Sequence, residues 1–170
     1  MAKLKFIILP RYKLSEAKTF YDCDHVISVF EKTDKGDPTP EGVDPINHKK
    51  YFFDDVWGDI IDGIRGPTEE DIKTILSMYP TKLPDSDDSS IFLHCFAGVS
   101  RSPAIAYMLH CKEYGPGREE QAIERTAASA PYRGIHPNPT MVAMADKILE
   151  RNGKMTEALE NWLDKEYPKK

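Results

Sequence analysis

Short apolar runs separated by polar segments predict four β-strands. Residues 4–9 (LKFIIL) and 25–31 (HVISVFE) are rich in aliphatic and β-branched side chains, and residues 50–56 (KYFFDDV) end in acids. Residues 90–95 (SIFLHC) are apolar enough for a central strand of a sheet. Runs of this length bounded by turn-forming residues are typical of strands. Residues 33–48 carry three prolines and two glycines and are therefore predicted to be a loop.

Apolar residues at helical spacing predict helices before and after the fourth strand. Thr68 can cap a helix, and Asp71 three residues later comes close to a capping box. Residues 102–114 and 118–130 predict two more helices, the first largely buried and stopped by a Gly-Pro-Gly sequence. Residues 14–22 predict only a weak helix or a turn. Two final helices follow from the apolar stripes Met141, Met144, Ala145, Ile148, Leu149 and Met155, Ala158, Leu159, Trp162, Leu163.

The order of these elements predicts a single α/β domain over residues 1–170. Strands come first, helices dominate later, and one strand–loop–helix unit lies in the middle. This order is typical of a sheet with helices packed on its faces. The sequence shows no internal repeat and no composition shift that would mark a domain boundary. The chain is long enough for one full hydrophobic core.

Composition and charge argue against two classes of partner. Apolar residues make up 40% of the 170 residues, charged residues 30%, and the net charge is −5. Nucleic-acid and membrane-surface binding both favour a basic face, so neither partner is expected. No apolar run approaches the roughly 20 residues of a membrane span. Pro10 and Arg11 interrupt the apolar start without a small-residue cleavage site, so we interpret it as a strand rather than a signal peptide.

Cysteine usage predicts free thiols and no metal site. The three cysteines are an odd number without paired spacing, which fits a reducing cytoplasm better than a disulfide framework. The pattern Cys23-x-His25 and the pairs His94-Cys95 and His110-Cys111 lack the spacing of zinc ligands. We therefore expect a cytoplasmic protein that binds no metal.

Residues 94–102 (HCFAGVSRS), between the fourth strand and the next helix, carry the candidate chemistry. A helix N-terminus offers four backbone N–H groups without partners and about half a positive charge, which together bind anions. Ser102 is predicted to cap this helix and Pro103 to be its first residue. Gly98 lets the loop turn its amides inward, and Arg101 can match two phosphate oxygens.

Cys95, at the end of the strand, is predicted to lie at the floor of this anion site. A positive environment lowers the pKa of a cysteine thiol, so the loop favours a nucleophilic thiolate facing a tetrahedral dianion. The alternative, an inert buried thiol, is our interpretation of Cys23 and Cys111. His94 neighbours Cys95 in a strand, so their side chains point to opposite faces. We therefore predict that His94 supports the loop backbone and does not act as a base on Cys95.

These residues resemble the signature of the cysteine-dependent protein tyrosine phosphatases, His-Cys-x5-Arg-Ser/Thr. The sequence HCFAGVSRSP is most similar to the dual-specificity branch. The segments YFFDDV and TEEDIKTILSMY before it, and APYRGIHPNPTM and MVAMADKILERNGKMTEALE after it, are similar to compact bacterial members. The resemblance covers roughly residues 50 to 160. It implies an α/β fold with a central, mostly parallel sheet of four to five strands flanked by helices.

The resemblance also implies a mechanism that needs no cofactor. Cys95 would attack phosphorus and form a phosphocysteine, and Ser102 would help Cys95 leave in the second step. An aspartate would protonate the leaving oxygen and then activate water, and Asp55 best fits that position. Arg101 and the loop amides would hold the phosphate oxygens; the loop residues are Phe96, Ala97, Gly98, Val99, Ser100 and Arg101.

The identity of the acid stays open in the sequence. Asp54, Asp59 and Asp62 lie within reach of the same loop, and Asp59 is the second choice after Asp55. Further downstream, Asn138 can cap the helix that begins at Pro139 or support the active site, with the cap favoured. Arg133 is equally suited to binding a substrate anion and to a solvated loop.

Three functions fit these residues. The first is a phosphatase, expected to be a monomer, that acts on proteins or peptides. Its substrate is phosphotyrosine, either alone or together with phosphoserine and phosphothreonine. The second is a phosphatase of a phosphoinositide, an inositol phosphate or an RNA 5′ phosphate. Such enzymes of the superfamily often carry lysines in the loop, and residues 96–100 contain none. The third is a non-catalytic phosphate-binding module, which would require a broken signature.

Overall fold

The computed structural model describes residues 4–58, 65–84, 88–132 and 134–170. Within these ranges four strands form one sheet in which every pairing is parallel: β1 (Phe6–Pro10), β2 (His25–Phe30), β3 (His48–Phe52) and β4 (Ile91–Cys95). The strand order is β1-β4-β2-β3, so β4 is a central strand that pairs with both β1 and β2. The predicted parallel α/β fold with four strands is confirmed.

In the described part of the chain, five α-helices follow the order that the apolar spacing predicted. They are α1 (Glu69–Leu76), α2 (Arg101–Tyr114), α3 (Glu119–Ala128), α4 (Pro139–Ile148) and α5 (Lys154–Glu166). The predicted capping box of α1 is present, because Asp71 N–H donates to the Thr68 hydroxyl and Thr68 N–H donates to the Asp71 carboxylate. A weak helix or turn was predicted over residues 14–22. The structure has a 3-10 helix at Arg11–Glu16 and a turn over residues 17–21.

The third strand differs most from its predicted boundaries. The third strand was expected over residues 50–56, and it begins at His48 and ends at Phe52. The chain leaves the sheet because the backbone N–H of Asp54 donates to the Arg65 carbonyl at 2.6 Å. The two acids after the strand therefore lie in a loop, where their side chains are free to turn in different directions.

The two faces of the sheet have different covers. Ile91, Leu93 and Cys95 of β4 belong to the larger hydrophobic cluster, which includes residues from all five helices. Phe92 belongs to a smaller cluster on the other face, which the segment around Leu14 covers. Alternation along β4 thus places Cys95 on the helical face of the sheet. None of the helices in the described ranges is long and apolar enough to cross a membrane.

Candidate active site

The loop from Cys95 to Arg101 is shaped by donors that hold its carbonyl groups from outside. Four carbonyls accept such bonds: Cys95 from His94 Nδ1 (2.9 Å), Phe96 from Arg11 N (3.0 Å), Val99 from His136 N (2.8 Å) and Ser100 from Asn138 N (3.0 Å). In a trans peptide the N–H points opposite to the C=O. The amides that follow these four carbonyls therefore point to the other side, toward the interior of the loop. This arrangement lets backbone amides bind an anion.

Gly98 is required at the middle of the loop for two independent reasons. Its φ of 76° lies in the left-handed region, where a side chain is disfavoured. A Cβ at this position would also lie 3.0 Å from the backbone carbonyl carbon of Leu9. The loop therefore passes so close to the end of β1 that only glycine fits.

Replacing Gly98 with alanine is expected to lower stability by about 2 kcal/mol and to impair activity, because strain and backbone crowding add. Gly117→Ala is the matched control, since Gly117 has a φ of 87° and nothing within 4 Å of the added Cβ. Thermal unfolding and steady-state assays of both variants measure the two effects. Equal losses of stability in the two variants would contradict the close approach to β1.

Cys95 is 3% exposed and lies beside the first turn of α2. Its Sγ is 3.2 Å from the Ser102 hydroxyl oxygen. The prediction that Ser102 caps the helix and Pro103 begins it is wrong, because α2 begins at Arg101 and Ser100 is the N-cap residue. Ser100 makes no side-chain cap bond, since its hydroxyl donates to Asp55 instead. Both serine hydroxyls thus serve the site and not the helix end.

Arg101 is buried and anchored from two sides. One terminal nitrogen donates to the Phe53 carbonyl at 2.8 Å, and the other donates to Glu31 at 2.7 Å. Its Nε is buried and has no hydrogen-bond partner within the described chain. A buried donor without a partner costs about 1–3 kcal/mol, so this nitrogen is a candidate donor to a bound oxyanion. Arg101 is 3% exposed, which makes its position well defined by packing.

Glu31 was not singled out in the sequence, because it lies 70 residues before Arg101. It follows β2 directly, at the same edge of the sheet as the loop after β4. Burial raises the pKa of the Glu31 carboxyl, and the nearby charge of Arg101 opposes that shift. No local sequence motif indicates that Glu31 pairs with Arg101.

The acidic pair after β3 separates into two environments. Asp55 is exposed, and its Oδ1 accepts from Ser100 Oγ at 2.7 Å and from Asn138 Nδ2 at 2.8 Å. The side chain of Asp54 accepts from the backbone amides of Lys32 and Arg65 instead. Partial desolvation acts to raise the pKa of Asp54, but the two amides, a hydrogen bond with Glu31 and the charge of Arg101 together lower it. Asp55 is thus the member of the pair that contacts the loop.

The remaining acid candidates, Asp59 and Asp62, and also Arg133, lie outside the described residues. Asn138 combines the two roles that the sequence left open. Its side-chain oxygen accepts from Met141 N–H at 3.0 Å as the N-cap of α4, while its amide nitrogen donates to Asp55. One residue therefore ties the start of α4 to the acid.

Trp57 is a site residue that the sequence analysis missed. Its indole N–H lies 3.2 Å from Asp55 Oδ1 and 3.1 Å from Ser100 Oγ, and the residue is 53% exposed. The next residue, Gly58, donates its N–H to the Thr140 hydroxyl at 2.8 Å. The only signal in the sequence was an aromatic residue two positions after the acid. Trp57 forms an exposed aromatic surface beside the carboxyl group.

A groove of about 680 Å³ lies beside the loop. Phe96 and Ala97 form one wall, and Tyr12, Pro38 and Thr39 are among the residues that form the others. Phe96 is 70% exposed, so its ring stands at the rim of the groove. Within the ranges that the structure describes, no group of three or more His, Cys, Asp or Glu side chains could hold a metal ion.

Comparisons with known proteins find similarity in structure and not in sequence. No family model and no curated protein sequence matches the chain. The structure is similar to that of Tk-PTP in its active form, with a TM-score of 0.56, 16% identity, and coverage of 89% of this chain and 94% of that one. It is similar to DUSP15, with a TM-score of 0.57, 16% identity, and coverage of 95% and 94%. It is also similar to PTPMT1 in complex with PI(5)P, with a TM-score of 0.53, 16% identity, and coverage of 90% and 93%.

These likenesses span nearly the whole of each protein. The similar structures are tyrosine and dual-specificity phosphatases, and the sheet and its flanking helices are common to them. The chain therefore has the fold that these phosphatase structures share.

Proposed function

We propose that this chain is a cysteine-dependent phosphatase that hydrolyses phosphate monoesters of proteins. The observation that carries the proposal is the 2.7 Å contact between Asp55 and Ser100. It brings a carboxyl group to the rim of the loop that contains Cys95 and Arg101. Nucleophile, anion donors and acid then converge on one small volume, as the two-step chemistry of a phosphate ester requires.

In the first step the loop amides and Arg101 bind the nonbridging oxygens of the phosphate. The Cys95 thiolate attacks phosphorus in line, so that an S–P bond forms as the P–O bond to the leaving group breaks. Asp55 gives its proton to the leaving oxygen. Preorganised donors stabilise the charge of the transition state without reorganising, and the outside bonds to the loop carbonyls supply that preorganisation.

In the second step a water molecule attacks the phosphorus of the phosphocysteine. Asp55, now a carboxylate, accepts a proton from that water, and the S–P bond breaks to return the Cys95 thiolate. The Ser102 hydroxyl, 3.2 Å from Sγ, can donate a hydrogen bond to the departing sulfur. Inorganic phosphate is the product, and Asp55 ends the cycle protonated as it began.

The surroundings of the loop favour a phosphoprotein over a phosphoinositide. Residues 96–100 are Phe-Ala-Gly-Val-Ser and carry no cation for additional phosphate groups. Two exposed aromatic side chains suit the ring of phosphotyrosine: Phe96 belongs to the loop, and Trp57 contacts the Ser100 hydroxyl. The second candidate is a phosphoinositide, because PTPMT1, which has this fold, was solved in complex with PI(5)P. We further propose that the protein is a monomer of the cytoplasm. The free thiols Cys23, Cys95 and Cys111 support a reducing compartment.

A substrate panel tests this proposal. We expect kcat/KM for a phosphotyrosyl peptide to exceed that for PI(5)P in detergent by at least about tenfold, with phosphothreonyl peptides in between. Acid quenching during turnover should trap a phosphate group on Cys95, detectable by peptide mass spectrometry. A preference for PI(5)P would favour the lipid substrate. Phosphopeptide binding without turnover or trapped phosphate would indicate the non-catalytic module.

A further inference from the structure

A buried chain of polar side chains runs from the catalytic loop to the groove. His94 Nδ1 lies 2.9 Å from the Cys95 carbonyl oxygen, and His94 Nε2 lies 2.7 Å from Ser28 Oγ. Ser28 Oγ is also 2.7 Å from His48 Nε2, and His48 Nδ1 is 3.1 Å from Thr39 Oγ1. We call these four side chains, from His94 to Thr39, the polar chain. Ser28 and His94 are fully buried, and Thr39 lines the groove.

The direction of every hydrogen bond in the polar chain follows from its last acceptor, the Cys95 carbonyl oxygen. A carbonyl oxygen only accepts, so His94 must carry a proton on Nδ1. A neutral imidazole then has a lone pair on Nε2, which accepts the single proton of the Ser28 hydroxyl. Ser28 has no second proton, so His48 must donate from Nε2. The bare Nδ1 of His48 accepts in turn from the Thr39 hydroxyl.

Both imidazoles are neutral in these surroundings. Burial lowers the pKa of His94 to about 4, with the bond to the Cys95 carbonyl opposing the shift. Burial likewise lowers the pKa of His48 to about 4, and the charge of Lys50 adds to the effect. Neutral rings have one donor and one acceptor each. All four bonds therefore point the same way, from the groove toward the catalytic loop.

We propose that Ser28 and His48 are positioning residues of the catalytic loop, which keep His94 in the tautomer that holds the Cys95 carbonyl. The inference rests on the proposed function, because the position of the Cys95 carbonyl sets the direction of the Phe96 amide, which is proposed to bind phosphate. The peptide between Cys95 and Phe96 is planar and trans, so holding its C=O outside the loop aims the Phe96 N–H inside. That N–H is one of the proposed donors to the phosphate oxygens.

Without Ser28, His94 loses the partner that opposes its reorientation. Its Nε2 would be a buried acceptor without a donor, and the energetic cost of that state favours other ring positions. The Cys95 carbonyl would then be held less firmly, and the Phe96 amide would be aimed less well. A misplaced donor weakens both phosphate binding and stabilisation of the transition state.

The first test reads the tautomers directly in the wild-type protein and does not depend on activity. Nitrogen chemical shifts of labelled histidine rings distinguish protonation at Nδ1 from protonation at Nε2. We expect His94 to be protonated at Nδ1 and His48 at Nε2, an opposite pair. A proton on Nε2 of His94, or on Nδ1 of His48, would overturn the proposal. If the wild-type protein shows these two tautomers but is inactive, the proposed function is contradicted and the hydrogen-bond directions of the polar chain still hold.

The second test separates positioning from stability. We expect Ser28→Ala to lower kcat/KM for a phosphotyrosyl peptide about tenfold and to weaken inhibition by inorganic phosphate in parallel. Thr126→Val is the control, because it removes another fully buried hydroxyl, which donates to the Ala122 carbonyl in α3. Equal activity in the two variants at a temperature where both are folded would overturn the proposal.

Two substitutions of His48 test whether its hydrogen-bond donor to Ser28 is needed for activity. Glutamine can place an amide donor where His48 Nε2 meets Ser28, whereas leucine of similar size cannot. We expect His48→Gln to remain within about twofold of the wild-type kcat/KM and His48→Leu to lose more. A larger loss in the glutamine variant than in the leucine variant would contradict a role for the donor. The wild-type tautomers decide the question even if Ser28→Ala does not fold.

Discussion

Replacing Cys95 with serine is expected to abolish turnover, with kcat reduced by at least about 10⁴-fold. Serine is nearly isosteric, so Arg101 and the loop amides stay in place. A serine hydroxyl, however, is a much weaker nucleophile than a cysteine thiolate. The variant should therefore still bind a phosphotyrosyl peptide while failing to cleave it. Calorimetry of binding and a phosphate-release assay measure the two properties on the same preparation.

Cys23→Ser is the matched control for this loss. Burial raises the pKa of Cys23 to about 11 and that of Cys111 to about 12, so both are neutral thiols at physiological pH. Cys23 packs in the smaller hydrophobic cluster, on the face of the sheet opposite the helices. Its substitution should leave kcat within about twofold of wild type. Activity in Cys95→Ser within tenfold of wild type would exclude Cys95 as the nucleophile.

The parts of the site that sequence predicts are those encoded by contiguous residues. The strand, the glycine, the arginine and the following helix all lie between Ile91 and Tyr114, and local spacing defines each of them. Alternation along β4 suffices to place His94 and Cys95 on opposite faces of the sheet. The structure adds that the His94 ring holds the Cys95 carbonyl.

The parts that sequence does not predict depend on contacts between distant segments. Glu31 meets Arg101 across 70 residues, and Ser28 meets His94 across 66. The cap of α2 illustrates the same point, since Ser-Pro is a typical helix start. Tertiary partners override that preference here: the Ser100 hydroxyl donates to Asp55, and the Ser102 hydroxyl lies against Cys95. Side-chain competition of this kind has no signature in one sequence.

Choosing the candidate acid requires both the sequence and the contacts in the structure. Sequence supplied four aspartates in one acidic loop, and composition could not separate them. In the structure the Asp54 carboxylate accepts from the backbone amides of Lys32 and Arg65, so these amides engage both of its oxygens. Asp55 is exposed, and its carboxylate accepts from Ser100 in the loop from Cys95 to Arg101. The pair therefore divides into a structural carboxylate and a candidate acid.

Asp55→Asn is expected to lower kcat for a phosphotyrosyl peptide by about 100-fold, within the range of general acid catalysis. The amide keeps an oxygen that can accept from Ser100 and Asn138, so the loop geometry is preserved while the transferable proton is lost. Asp54→Asn is the matched control and should change kcat by less than about threefold. Steady-state assays of both variants at one pH provide the comparison.

The leaving group provides a stricter test of the role of Asp55. An aryl phosphate with a strongly acidic phenol needs no proton as the P–O bond breaks, so its hydrolysis should fall by less than about tenfold in Asp55→Asn. A damaged loop would instead impair every substrate alike, because phosphate binding is common to all of them. Equal losses for both leaving groups would therefore show that Asp55 shapes the loop and is not the acid. A larger loss in Asp54→Asn than in Asp55→Asn would reverse the assignment, and normal activity in both variants would leave Asp59 and Asp62 as the candidate acids.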